Sequence, residues 1–117
     1  MERIIKAIEK ITNEVETISH LPIYHSLKPM DDTEEFIVFN YTFEESAWSN
    51  DKADAYIIDI SILVSRKNSL DLLNTIKDIY ENTDFDLIAT GTNIDSFNQE
   101  AIMYTCYEVY NEEVCKS

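Results

Sequence analysis

The segment Ala55–Ser65, AYIIDISILVS, constrains the chain more than any other stretch of its sequence. Tyr56, Ile58, Ile60, Ile62 and Val64 alternate with Ile57, Asp59, Ser61 and Leu63. Successive side chains of a strand point to opposite faces, so one face is uniformly apolar and the other carries a carboxylate and a hydroxyl at its middle. That is a half-buried antiparallel strand with a core side and a wetter side. An acidic stretch precedes it and an amphipathic helical pattern follows, which puts the chain in the α+β class.

The remaining elements fall into place around this strand. Across residues 3–19, Ile4, Ile5, Ile8, Ile11, Val15 and Ile18 recur at steps of three and four, one apolar stripe on a helix. Pro22 ends that pattern, because the residue before a proline avoids the α region and proline has no N–H to donate. A short extended piece, residues 23–27, leads to a turn through residues 29–32. From Glu35 to Phe43, Ile37, Phe39, Tyr41 and Phe43 face one way and Phe36, Val38, Asn40 and Thr42 the other. Residues 44–54 read as a long polar connection that holds the only tryptophan, Trp48. Asn68 or Ser69 caps a second helix over residues 70–82, with Leu72, Leu73, Ile76, Ile79 and Tyr80 on its apolar face. Strands are expected over 84–92, broken near Gly91, and over 100–110.

The order is therefore α-β-β-β-α-β-β in a single domain, residues 1–117: a mainly antiparallel sheet with two helices packed on one face. The other face must be partly polar or covered. Phe36 and Val38, and likewise Ile57 and Leu63, make two strands apolar on both sides at their ends. Contact with another copy of the chain accounts for this, and so do loops folded over that face.

The chain carries 23 acidic residues against 9 basic ones, a formal net charge of -14 in 117 residues. Such a surface repels phosphate backbones, which disfavours nucleic-acid binding. A single glycine excludes glycine-rich phosphate loops. No apolar run is long enough to span a membrane, and the opening MERIIKAIEK reads as cytoplasmic structure instead of a targeting peptide. Cys106 and Cys115 are too few for a disulfide framework.

Catalytic and metal motifs are not found. His20 and His25 lack ligand partners at zinc spacing, and His20 reads as a helix C-terminal residue. Residues 51–54 lack the glycine and terminal glutamate of a calcium loop. Paired carboxylates such as Glu44-Glu45 read as solvated surface, since acid–base work needs one of them in an apolar pocket. The expectation is a protein without catalytic residues, metal or cofactor. Asp59 is singled out, either as a sheet residue paired with a neighbouring strand or as a carboxylate lining a groove or channel formed on assembly.

The string Asn50-Asp51-Lys52, the strand Tyr56-Ile57-Ile58-Asp59-Ile60, the aromatic run Phe36–Tyr41 and the helix over 70–82 together resemble the tail-completion or tail-terminator proteins of long-tailed bacteriophages and prophages. The resemblance implies a structural subunit of a ring, commonly hexameric, at the head-proximal end of the tail tube. Its implied partners are copies of itself, tail-tube proteins and the head connector, with DNA passing but not bound. The implied location is the virion tail, and the host bacterial cytoplasm during assembly. Trp48, Phe36, Val38 and Leu63 are then expected at subunit or partner contacts, with Trp48 as a lid on its own core the alternative. Asp59, Asp51, Glu44 and Glu45 are expected along a negative bore. A competing reading is a small acidic immunity or inhibitor protein that occupies a basic toxin or nuclease site, for which surface carboxylates speed association.

Overall fold

The computed structural model describes residues 2–27, 34–49, 52–92 and 98–110. Two helices and five strands follow the expected order: α1 (Glu2–Ser19), β1 (Ile23–His25), β2 (Phe36–Ser49), β3 (Lys52–Arg66), α2 (Ser69–Asn82), β4 (Asp86–Thr92) and β5 (Gln99–Tyr110). The strands form one sheet in the order β1-β2-β3-β5-β4. The pairs β2–β3, β3–β5 and β4–β5 are antiparallel.

The sheet is mixed, because β1 runs parallel to β2 through Ile23↔Ile37, Tyr24↔Val38 and His25↔Phe39. Both strands start at the same end: the Ile37 N–H donates to the Pro22 carbonyl at 2.9 Å and the Ser26 N–H to the Phe39 carbonyl at 3.0 Å. The chain thus returns to that end before β2 begins, a reversal that alternation of side chains does not encode.

Helix α1 buries Ile4, Ile8, Ile11 and Val15, while Ile5 is exposed. Beyond it His20 adopts a left-handed conformation, φ 58°, a common way for a helix to stop. Helix α2 starts at Asn68, whose Oδ1 accepts from the Leu70 N–H at 2.7 Å and so satisfies a donor that has no partner within the helix. Its buried stripe is Leu72, Thr75, Ile76 and Ile79. Leu73 and Tyr80, expected on that stripe, are 59% and 56% exposed.

Thr75 takes an inward place because its hydroxyl is fully used. It donates to the Asp71 carbonyl at 2.8 Å and accepts from Arg66 Nη1 at 2.9 Å. Arg66 Nε also donates to Glu35 Oε2 at 2.9 Å, and the Lys67 N–H reaches the same oxygen. This clamp ties the start of β2, the end of β3 and α2 together.

Both helices pack on one face of the sheet. Their buried side chains meet Ile37 and Phe39 of β2, Ile58, Ile60, Ile62 and Val64 of β3, and Ala101 and Met103 of β5. The expected connection over 44–54 does not exist as a loop. Strand β2 runs on to Ser49 and β3 begins at Lys52, with Ser49 opposite Lys52. Backbone pairing satisfies polar residues as well as apolar ones, and register shifts around Ala47 accommodate the irregular stretch. The result is a long hairpin on an elongated molecule of 53 × 26 × 21 Å.

Candidate functional site

The helix-free face of the sheet has two unlike halves. At the end where β2 starts, Phe36 and Val38 are each only 4% exposed. The Tyr24 ring meets Phe36 edge-on, with centroids 6.2 Å apart. Asn98 Nδ2, fully buried, donates to the Glu34 carbonyl at 2.6 Å and to Ser65 Oγ at 3.0 Å. Phe36 and Val38 are thus enclosed by their own chain and are not available as contact residues, which corrects the expectation for these two. Leu63, between Val38 and Ile102 in register, remains half-buried at the border.

Farther along, the same face is open. Asn40, Thr42 and Glu44 of β2 stand beside Ser61, Asp59 and Ile57 of β3, which in turn stand beside Tyr104, Cys106 and Glu108 of β5. Side chains of directly opposed residues on an antiparallel pair lie within contact distance, and diagonal neighbours within reach of a long side chain. Tyr104 uses the diagonal: opposite Ser61, its hydroxyl donates to Asp59 Oδ1 at 2.5 Å. Around the pair is a shallow depression of about 130 Å³, with Asn40, Thr42 and Ser61 on its wall. Ile102 adds an apolar side chain that is 40% exposed. No lysine or arginine stands among these described strand residues.

The protonation of this cluster follows from Asp59. Its hydrogen bond holds the proton on Tyr104 and pushes that phenol up to about 12. The Cys106 thiol is also pushed up, first by burial and then by hydrogen bonding to Asp59 and the charge beside it. Nucleophiles and general bases need shifts in the other direction, toward the deprotonated form at neutral pH. What the arrangement offers is a proton-holding, negatively charged surface with apolar flanks.

The expected acidic residues divide. Glu44 and Asp59 share the open face, whereas Glu45, opposite Tyr56, projects from the helix side. Asp51 lies outside the described residues, as does the side chain of Trp48, which is placed only as a strand residue opposite Ala53. Sequence reasoning missed the partners of Asp59. Alternation over 100–110 shows that Tyr104 and Cys106 share a face, but only the register of β3 on β5 brings them to Asp59. Among the described residues no group of histidine, cysteine or acidic side chains is arranged to hold a metal ion. No described helix is long and apolar enough to cross a membrane. The chain matches no protein-family model, and no curated protein sequence matches it significantly.

Proposed function

We propose that the chain is a non-enzymatic structural subunit of a bacteriophage or prophage tail, which joins copies of itself into a ring at the head-proximal end of the tail tube. The observation that carries this reading is the open outer half of the helix-free sheet face, where half-buried Ile57 stands among Glu44, Asp59 and Glu108, with exposed Ile102 at its border. An exposed mixed face on long paired strands suits a contact between subunits better than a site for turnover. A closed ring needs head-to-tail contacts between two different surfaces of each subunit, and the open sheet face supplies one of them. Carboxylates along the bore would let DNA slide past without adhering.

Native mass spectrometry over a range of concentrations and negative-stain electron microscopy of tail tubes test the reading. Rings and tubes capped at a fixed length are expected. Ile102→Asp, at an exposed position, should abolish rings while leaving the circular dichroism spectrum unchanged. A chain that stays monomeric, leaves tubes uncapped and titrates a basic toxin or nuclease one to one sinks the tail reading and supports the acidic-inhibitor reading.

A further inference from the structure

Strand β4 is much shorter than β5 and leaves part of it bare. Their pairing runs from Thr92↔Gln99 to Asp86↔Tyr104 and stops. From Thr105 to Tyr110, β5 has a strand partner on its β3 side only, among the described residues. Six residues of extended chain span about 20 Å, enough for a peptide strand. Unused strand edges of this kind are where extended segments add themselves to a sheet.

The vacant lane opens onto a groove of about 500 Å³ between α1, the end of α2 and β5. Ala7, Ile11 and Val109 give it an apolar floor. Its helix-side rim is acidic: Glu14, Glu81 and Asp84 line it, against a single cation, Lys10. Tyr107 on the wall senses this field. Burial is the main cause that pushes its phenol up, and the charges of Asp84 and Glu14 push it further.

We propose that this groove binds an extended basic segment of a partner protein, which pairs with Thr105–Tyr110 as an added strand, sets small apolar side chains on the floor and points lysines or arginines at the rim. Charge selects this occupant over a second copy of the chain. Among the described residues β2 has no strand partner on its outer side beyond Phe39, and that edge, the natural strand donor of another copy, carries Glu44 and Glu45 and would bring like charges together. The groove lies on the helix side, away from the Asp59 face, so the inference stands whether or not the chain forms rings.

The test uses the full chain and an acetylated, amidated heptapeptide, Lys-Lys-Val-Val-Lys-Lys-Val, whose two strand faces each carry both lysine and valine. Binding is followed by fluorescence polarisation, and amide hydrogen exchange locates it. The peptide should slow exchange over Thr105–Tyr110. N-methylation of alternate peptide nitrogens should weaken it by about tenfold or more, because a blocked strand cannot pair. Reversing Glu14→Lys and Glu81→Lys together should also weaken binding about tenfold. Glu9→Lys with Glu16→Lys changes the net charge equally on the opposite side of α1 and should not. Absence of binding, equal binding of the N-methylated peptide, equal loss in the control pair or protection elsewhere than Thr105–Tyr110 would overturn the proposal. The last three outcomes would mean general attraction to a strongly acidic protein.

Discussion

The two halves of the β2–β3 ribbon are built alike and environed differently. From Phe36 to Phe39 both faces are sealed, the helix side by α1 and α2 and the other by Tyr24 and Asn98 with their neighbours. From Asn40 onward the helix-free face is open and the helix side is covered only in part: Ile60 and Ile58 are fully buried, while Tyr41 and Phe43 opposite them are 47% and 41% exposed. The cause lies in rise per residue. Helix α1, 18 residues long, covers about 27 Å, whereas the 15 residues of β3 extend about 50 Å. The strands outrun the helices, so the helices seal Phe39 and leave Tyr41 and Phe43 farther along β2 partly bare.

Paired phenylalanines break or sharpen this contrast most strongly. Phe39 is fully buried, and Phe39→Ala should lower unfolding free energy by about 3–5 kcal/mol through lost burial and a residual cavity. Phe43, two positions farther on the same face, should lose about 1 kcal/mol or less on the same change. Urea titrations of both variants measure the difference. Equal losses would show that the outer half is packed as tightly as the inner one.

The Glu35–Arg66–Thr75 clamp sits at the sealed end and should rank second. Arg66→Ala removes a partner from both Glu35 and Thr75 and should cost roughly 1–2 kcal/mol. The clamp also makes stability depend on pH. Burial alone would raise the Glu35 carboxyl, but the Lys67 N–H and the Arg66 guanidinium outweigh it and hold the group below the ordinary 4.5. A group depressed in the folded state contributes stability that is complete above its unfolded value. That contribution is lost as pH falls through its folded value. Melting curves of wild type and Glu35→Gln should therefore differ at neutral pH, begin to converge below about 4.5 and meet once pH has fallen past the lower folded value. A gap that persists there would assign the effect to shape and not to charge.

Legibility in sequence follows the same division. The core was readable because burial imposes a period: Ile58, Ile60 and Ile62, or Ile4, Ile8 and Ile11, can be assigned to it before any contact is seen. Asn68 was readable because a helix start needs a side-chain acceptor. The stretch over residues 44–54 reads as a loop yet continues the strands, because polar Glu44 and Glu45 are both exposed and no alternation of burial marks them as strand. Leu73 and Tyr80 were misplaced for a related reason. Period alone cannot say that Arg66, distant in sequence, would let Thr75 turn inward. Asp59 was picked out as odd on its strand, yet its link to Tyr104 and Cys106 depends on the register between β3 and β5, which no local pattern fixes.

The smallest expected effect lies on the open face and separates surface chemistry from stability. Asp59→Asn removes the charge that holds the proton on Tyr104, so that phenol should titrate nearer the ordinary 10.0 than about 12. Difference absorbance of tyrosinate between those values, compared with Tyr104→Phe in the same background, isolates the residue. In linkage terms, a phenol raised in the folded state adds stability that is complete below its unfolded value. That stability fades as pH rises through the folded one, so Asp59→Asn should cost a small amount of stability at neutral pH, and the gap to wild type should close in alkali. Cys106 gives a second readout at neutral pH: with the neighbouring charge gone, its thiol should react faster with iodoacetamide, since the thiolate is the attacking form. If Tyr104 and Cys106 both behave as before, Asp59 does not govern this face. Its acidity would then be ordinary surface charge of the kind that covers the rest of the chain.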